Sequence, residues 1–332
     1  MYKSFYNLKR NPFEITPDPA FLFPTRRHNE ALAALYYGVR RHKGFVVMTG
    51  EVGTGKTLLV RCLLELLNRK NVAYAYVFNS RLTPMEFLQY LAGDLGLPTA
   101  GKNKSELLLD LSSFLIARHQ QQLTTVLVVD EAHHLSIEVL EEIRLLTNLE
   151  TAQEKLLQIL LVGQPELDEK MDSVNLRQLK QRIALRSQLE PLTFEEAKGY
   201  ILRRLQLASA NGDASGLFPP ETLVSIFRHA RGIPRLINTI CENALINGFA
   251  RQARTIGPEI VEEVAADFRL HVLHTVPVER QPIGIADTLR GQDNAEVWQA
   301  VKTLLQLHDY LQGARSRDAE PAASIAMAPR SR

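Results

Sequence analysis

The feature that most constrains the fold of this chain is a short buried strand that leads through a glycine-rich loop into an apolar helix. Residues 44–50 (GFVVMTG) form an apolar run ending in glycine, which predicts a strand covered on both faces. Residues 57–67 (TLLVRCLLELL) are apolar on nearly every side, which predicts a buried helix. This succession indicates the first unit of a parallel α/β sheet.

The loop between that strand and helix has the spacing of a phosphate-binding site. It follows the pattern G-x-x-x-x-G-K-T and consists of Gly50, Glu51, Val52, Gly53, Thr54, Gly55, Lys56 and Thr57. Glycines allow several backbone N–H groups to face one anion, and the N-terminus of the following helix adds partial positive charge. We expect Lys56 to reach the β- and γ-phosphates of ATP, and Thr57 to offer its hydroxyl to Mg²⁺.

The rest of the chain continues this pattern and then changes. Further strands are predicted at residues 72–78, 126–129, 156–162 and 183–189, with helical patterns between them. After Pro191 the pattern is helical, with helices predicted at residues 193–208, 219–232, 234–253 and 258–269. The predicted fold class is therefore α/β: a five-stranded parallel αβα core of the P-loop NTPase kind, followed by a C-terminal helical lid.

Three parts are predicted along the 332 residues. Residues 1–190 form the nucleotide-binding core, residues 191–270 the lid, and residues 271–332 a linker, one helix at 295–311 and a disordered tail. The net charge of +2 does not by itself indicate a nucleic-acid-binding protein. Neither a signal-peptide core nor an apolar run of ~18 residues is visible, so a cytoplasmic protein is expected.

Two adjacent acids follow the third strand, where they would lie beside the phosphate loop. Asp130 ends a run of four aliphatic residues and is predicted to hold Mg²⁺, together with Thr57. Glu131 follows directly and is the candidate general base for the attacking water. The string of residues 130–133 spells DEAH, but the helical pattern after the fifth strand does not provide the second domain of a helicase. His133 and His134 are expected to begin a helix facing solvent or a neighbouring subunit, with γ-phosphate sensing as the alternative.

Three more polar residues lie where a nucleotide switch needs them. Gln164 ends the fourth strand and can orient water and contact the γ-phosphate. Arg235 begins a lid helix, where a guanidinium and a helix N-terminus both face an anion. Arg182 precedes the fifth strand and is the candidate to reach the γ-phosphate of a neighbouring subunit, with Arg177 and Arg186 as competitors.

In this order, these motifs resemble those of AAA+ ATPases, and more narrowly of the ExeA/GspA type of general secretion pathway ATPase. The resemblance covers about residues 1–270. Besides the phosphate loop, it is carried by FYNL at 5–8, NPF at 11–13, TPDP at 16–19, FL at 21–22, His28, EAL at 30–32, YG at 37–38 and GQPEL at 163–167. It implies ATP and Mg²⁺ as cofactors, self-association with nucleotide at subunit interfaces, and Pro12, Phe13 and His28 near the nucleotide base.

The resemblance implies an ATPase that drives assembly with partner proteins, in a bacterial secretion or exopolysaccharide export system. The resemblance is also compatible with a protein that is held at the periphery of the inner membrane by such a partner. After the lid we expect a departure from the ExeA-like pattern, because no membrane-spanning helix or peptidoglycan-binding domain is predicted in residues 271–332. One alternative is a DNA-binding transposition or replication regulator of the TnsC/TniB kind. Its candidate basic face comprises Arg203, Arg204, Arg228, Arg231, Arg251 and Arg254. A second alternative is a scaffold protein that binds nucleotide and barely hydrolyses it. The presence of Glu131 argues against this alternative.

Overall fold

The structure, a computed structural model, describes residues 2–16, 18–68, 72–78, 81–210 and 216–270. The strands are β1 Phe45–Gly50, β2 Ala73–Val77, β3 Thr125–Val129, β4 Leu157–Gly163 and β5 Leu185–Leu189. The helices are α1 Tyr2–Phe5, α2 Arg26–Arg40, α3 Lys56–Asn68, α4 Pro84–Asp94, α5 Lys104–Gln120, α6 Ile137–Leu146, α7 Pro165–Met171, α8 Arg177–Lys180, α9 Phe194–Ala208, α10 Pro220–Ala230, α11 Pro234–Ala250 and α12 Pro258–Asp267. The helix predicted at residues 295–311 lies outside the described residues.

The five strands form one parallel sheet in the order β2-β3-β4-β1-β5, which confirms the predicted fold class. Strand β4 lies between β1 and β3, because the chain crosses over after β1 and returns to fill the gap. The carboxyl ends of these three strands therefore lie side by side. They carry the phosphate loop, Asp130 and Gln164, which brings the predicted site residues to one edge of the sheet.

The faces of the sheet are covered by separate apolar clusters. One cluster packs α4, α5 and α6 on one face, with Phe45, Phe87 and Leu127 fully covered. The other packs α2 and α3 on the opposite face, around Met48 and Leu63. Strands β1, β3 and β4 are buried along their whole length, as expected for the middle of a parallel sheet.

The helices α9 to α12 form a third cluster, which also includes the start of the chain. Tyr6, Leu8 and Phe13 pack among the lid helices, and the Phe13 ring meets that of Phe218 edge to face at 6.1 Å. The backbone of Leu8 pairs with Ser209 in an isolated bridge. The N-terminal residues thus pack on the lid, although they precede the core in sequence. The domain boundaries at 190 and 270 stay predictions.

Capping residues explain where several helices begin. Thr83, Asn103 and Thr193 each accept a hydrogen bond from the backbone three residues later, and a glutamate there closes a capping box. Ser136 caps α6 by accepting from the Val139 N–H. Helix α2 was not predicted from periodicity, because buried residues occupy most of its sides.

Candidate functional site

The phosphate loop joins β1 to α3 and takes the conformation that its glycines allow. Gly53 and Gly55 have φ angles of +82° and +101°, which side-chain-bearing residues rarely adopt. A Cβ atom on Gly53 would also lie 2.6 Å from the Cβ of Arg235. The Thr54 side chain is fully buried and its hydroxyl donates to the carbonyl of Glu51 at 2.8 Å. The loop is thus closed on itself around a backbone cradle.

Lys56 is buried at the start of α3 and lies among acidic residues. Its ammonium donates to the carbonyls of Gly50 at 2.7 Å and Glu51 at 2.9 Å. Burial lowers the pKa of Lys56, and the nearby carboxylates of Glu131 and Asp130 partly offset that effect. The cation therefore lies folded against its own loop, at the cradle predicted to bind phosphates.

Asp130 and Thr57 meet as a pair at the same edge of the sheet. The Thr57 hydroxyl donates to Asp130 Oδ2 at 2.9 Å. The hydroxyl of Tyr76, on the neighbouring strand β2, donates to the same oxygen at 2.7 Å, and the Glu131 N–H donates to Oδ1 at 2.9 Å. A hydroxyl beside a carboxylate suits Mg²⁺, which binds one or two protein oxygens and completes its shell with water and phosphate. Sequence reasoning missed Tyr76.

Glu131 is held in an unusual backbone conformation beside this pair. Its φ of 52° and ψ of 36° are left-handed, which is uncommon for a residue other than glycine. Its Oε2 atom is buried and has no hydrogen-bond partner among the described residues. An unsatisfied buried carboxylate oxygen is costly in a folded protein. The arrangement leaves an acceptor free, as a base for water requires.

The expected place of His133 at a solvent-facing helix start is wrong. Its side chain is buried in a short 3₁₀ turn over residues 132–134, between Glu131 and Gln164. Nε2 of His133 lies 2.8 Å from Nε2 of Gln164, and Nδ1 lies 3.5 Å from Glu131 Oε2. Lys170 fixes the turn by donating to the carbonyls of residues 133 and 135. Burial lowers the pKa of His133, so the neutral imidazole is favoured at this position.

Arg235 lies at the first turn of α11, as predicted, and touches the phosphate loop directly. Its backbone N–H donates to the carbonyl of Gly53 at 3.2 Å. Its side chain lines a cavity of about 400 Å³ that lies between the loop and the lid. The wall also includes Val52, Gly53, residues 55–58 and Glu131, together with Glu14, Ile15, Thr16, Asp18, Tyr200, Arg204, Pro234 and Asn238. This is the candidate nucleotide site.

The N-terminal residues expected beside the base lie differently. Phe13 is fully buried among the lid helices, and the cavity is lined by its successors Glu14, Ile15 and Thr16. Pro12 and His28 are also absent from the cavity wall. His28 supports the loop from behind, with Nε2 at 3.1 Å from the Thr54 carbonyl and Nδ1 at 2.7 Å from the Thr25 hydroxyl. Pro12, Phe13 and His28 thus lie outside the cavity wall, and their contact with the nucleotide base stays a prediction.

The three arginines considered for a neighbouring site differ in their surroundings. Arg186 Nη2 donates to Asp168 Oδ1 at 2.6 Å, so this side chain is held within its own subunit. Arg177 is exposed at the start of α8. Arg182 is half-buried after α8, just before β5, which is an edge strand of the sheet.

Four of the six lid arginines considered as a DNA-binding face are engaged by this chain itself. Arg228 pairs with Glu262 at 3.4 Å, and Arg251 pairs with Glu263. Arg254 donates to the carbonyl of Phe5 at 2.8 Å. Arg204 is buried, with 5% of its surface exposed. Arg228, Arg251 and Arg254 remain exposed to solvent while they make these contacts.

Comparisons with known proteins agree with this geometry. A family model described as an AAA domain matches residues 39–171. General secretion pathway protein A of Aeromonas hydrophila is 45% identical over 257 residues, which are 77% of this chain and 46% of that protein. This chain therefore spans less than half the length of that relative.

Solved structures of low sequence identity share the fold. The ORC1 protein of Aeropyrum pernix in complex with DNA matches with a TM-score of 0.60 and 18% identity, over 78% of this chain and 69% of that one. Cdc6p from Pyrobaculum aerophilum matches with a TM-score of 0.57 and 19% identity, over 80% and 70%. Within the part of the chain that the structure describes, no helix is long and apolar enough to cross a bilayer.

Proposed function

Since this chain is an AAA-type ATPase related to general secretion pathway protein A, we propose that it binds ATP with Mg²⁺ in the cavity beneath the lid. It hydrolyses ATP to ADP and phosphate there, and hydrolysis drives assembly with partner proteins. The observation that carries the proposal is the convergence of three side chains beside one backbone cradle: Thr57, Asp130 and Glu131, whose Oε2 atom has no hydrogen-bond partner among the described residues.

The phosphates would lie in the cradle of residues 50–57, at the N-terminus of α3. Lys56 leaves the carbonyls of Gly50 and Glu51 and binds the phosphates instead, which restores partners to a buried cation. Thr57 and Asp130 would hold Mg²⁺, which when bound neutralises phosphate charge. Their oxygens already lie 2.9 Å apart, so the pair needs little rearrangement.

Glu131 would act as the general base. As a water oxygen bonds to the γ-phosphorus, the bond from that phosphorus to the β–γ bridging oxygen breaks and ADP leaves. The water proton passes to Glu131 Oε2, the buried oxygen that has no hydrogen-bond partner among the described residues. Gln164 would orient the water through its side-chain amide, and His133 would position that amide through its 2.8 Å contact.

Two arginines would complete the site from different subunits. Arg235 lines the cavity of its own chain and would contact the γ-phosphate when the lid is closed. Arg182, beside the edge strand, would project into the site of a neighbouring copy. Positive charge from an arginine finger spreads over the charge that develops on the transferred phosphoryl group.

We infer the partner class and the cellular location from the similarity to general secretion pathway protein A. A protein that acts with a bacterial secretion or exopolysaccharide export system at the inner membrane would bind the assembled ATPase. This chain would then lie in the cytoplasm, peripheral to the membrane through that partner. Pairing of the lid arginines with carboxylates makes DNA the less favoured partner.

The mass of the protein in solution tests the proposal. With ATP and Mg²⁺, the Glu131→Gln variant should form assemblies larger than the single chain, whereas ADP should not support them. A DNA-binding titration at several salt concentrations distinguishes the partner class, because a phosphate-contacting protein loses affinity steeply with salt. Unchanged mass with every nucleotide would contradict the assembly step, and tight salt-dependent DNA binding would replace the envelope partner.

A further inference from the structure

The cavity that holds the phosphate loop continues into a second polar region under the lid, which we call the nucleoside end. It is lined by Tyr200 and Arg204 of α9, Asn238 of α11, and Glu14 of the N-terminal segment. If the phosphates occupy the loop, the rest of a nucleotide must extend into this remaining space. The inference below about ligand recognition by these residues rests on the proposed function, which is ATP binding in this cavity.

The nucleoside end is a connected hydrogen-bond network rather than a loose surface. Tyr200 donates to Asn238 Oδ1 at 2.9 Å, and Asn238 Nδ2 lies 3.4 Å from the carbonyl of Glu14. Arg204 Nη1 donates to the carbonyl of Pro12 at 2.7 Å. These contacts fix two lid helices and the N-terminal segment around one wall, so the side chains are held in place before any ligand binds.

Arg204 is the member whose own partners do not account for its burial. Only 5% of its surface is exposed, and its Nε atom has no hydrogen-bond partner among the described residues. Within that part of the chain it forms no ion pair with a carboxylate at 4.0 Å or less. Burial lowers the pKa of Arg204 more than its neighbours raise it. A buried charge without an opposite charge is costly to the fold.

The guanidinium of Arg204 lies beside two aromatic rings at the cavity wall. Its central carbon lies 4.6 Å from the centroid of the Phe21 ring and 5.0 Å from that of Tyr200. Aromatic contacts of this kind stabilise the cation through its face. Hydrogen bonds from arginine lie in the plane, and all of its polar hydrogens are donors. A ligand at this wall must therefore offer an acceptor.

We propose that Arg204 is a specificity-determining residue that donates a hydrogen bond to an acceptor atom of the bound nucleoside, on the purine ring or the ribose. Purine ring nitrogens and ribose oxygens both provide that chemistry. The residue would then distinguish a nucleotide from an inorganic phosphate chain, which the loop alone cannot do. Arg204 belongs to the binding site, and no part in the chemical step is assigned to it.

The first test compares two ligands that share the phosphates and differ in the nucleoside. Calorimetry with Mg²⁺ measures Kd for ATP and for inorganic tripolyphosphate, in the unaltered chain and in Arg204→Gln. The variant should weaken ATP binding about tenfold or more and change tripolyphosphate binding by less than about twofold. The control is Arg203→Gln, one residue away on α9 and outside the cavity wall, which should leave both constants unchanged.

Two outcomes overturn the inference: equal weakening of both ligands in Arg204→Gln, or undiminished ATP binding. An unaltered chain that binds neither ligand would instead contradict the proposed function itself. A second measurement uses the unaltered chain and does not depend on a buried variant that folds. It compares ATP with 2′-deoxy-ATP and with analogues in which carbon replaces purine N1, N3 or N7. One of these should bind about tenfold more weakly, and equal binding of all would also overturn the inference.

Discussion

Arg186 and Asp168 form an ion pair that fixes strand β5 to helix α7, with Nη2 of the arginine 2.6 Å from Oδ1 of the aspartate. The other carboxylate oxygen accepts a hydrogen bond from Thr49 of β1 at 2.9 Å. Three elements beside the phosphate loop are thereby linked. An arginine engaged in this way stabilises its own subunit, and this separates Arg186 from Arg182.

We first expect a difference in stability between these two arginines. Arg186→Ala should lower the free energy of unfolding by about 1–3 kcal/mol, because a half-buried Asp168 loses its charged partner. Arg182→Ala should change it by less than about 0.5 kcal/mol, since it lies beside an edge strand. Urea unfolding followed by circular dichroism measures both. Equal losses would show that Arg182 has a structural role as well.

The second prediction concerns the phosphate loop. Lys56→Ala should abolish measurable ATP binding or weaken it by more than about tenfold, because charge-assisted contacts to the phosphates are lost. Thr57→Ala should weaken the effect of Mg²⁺ more than it weakens binding of the nucleotide itself. Calorimetry with and without Mg²⁺ measures the two constants. Undiminished ATP affinity in Lys56→Ala would rule out the loop as the phosphate site.

The third prediction is that Glu131→Gln keeps nucleotide binding and loses turnover. The amide is nearly the same size but cannot accept a proton from water, and loss of a general base typically costs about 10²–10⁴ in rate. Phosphate release gives kcat, and calorimetry gives Kd. Glu166→Gln is the matched control, since this acid also lies near Lys56 but in the first turn of α7. Parental turnover in Glu131→Gln would transfer the role to another acid.

Much of the fold and the phosphate site could be predicted because both depend on contiguous sequence. Four strands are apolar runs that end in glycine, an acid or an amide, and the parallel order then brings those ends together. Residues 50–57 need no distant partner to form their cradle. Asp130 could be inferred from the strand before it alone.

Residues whose role depends on packing between distant segments could not be predicted. Phe13 is part of the lid core because the N-terminal segment folds back over α9 to α12. Hydrophobic periodicity along the chain does not predict this contact. Tyr76 on β2 reaches Asp130 at the end of the adjacent strand β3, a contact visible only once the register is known. The buried position of His133 follows from a 3₁₀ turn that replaces the expected helix start. In each case, tertiary contacts decided where a polar or aromatic side chain lies.

The fourth prediction is a loss of stability below neutral pH that depends on His28. Burial lowers the pKa of His28, whose neutral ring donates to the Thr54 carbonyl and accepts from the Thr25 hydroxyl. The unfolded chain therefore binds a proton at about pH 6.5, and the folded chain only at a lower pH. Stability is complete above about pH 6.5 and falls as the pH decreases below it, by up to about 1.4 kcal/mol per pH unit.

The measurement is the free energy of unfolding in urea at pH 7.5 and pH 5.5, for the unaltered chain and for His28→Asn. The variant should be less stable at pH 7.5 and should show a smaller difference between the two pH values. His133, whose pKa is also lowered by burial, keeps part of the pH dependence in that variant. An unchanged pH difference in His28→Asn would remove His28 from this explanation.

The last prediction is that hydrolysis requires a neighbouring copy, because Arg182 acts in trans. One chain holds Lys56, Asp130 and Glu131 at the carboxyl edge of its own sheet, and Arg235 on its own lid. Arg182 lies beside the edge strand β5, three places from β3, the strand that leads to the acids. An arginine supplied in trans contributes about 10³–10⁵ in kcat, so activity per subunit should rise with protein concentration.

Mixing two inactive variants separates a trans arginine from a structural one. Arg182→Ala chains retain an intact phosphate loop, and Lys56→Ala chains retain an intact Arg182, so a mixed interface contains one complete site. Phosphate release should return on mixing, although each variant alone is inactive.

Arg177→Ala and Arg186→Ala mixed with Lys56→Ala serve as controls. Arg186→Ala should retain turnover at temperatures where it is folded, because Asp168 holds that side chain within its own subunit. Specific activity that stays constant down to dilutions where the protein is monomeric would refute the trans mechanism. If Arg182→Ala stays active alone, and Arg177→Ala is the inactive variant that mixing rescues, the trans arginine is Arg177.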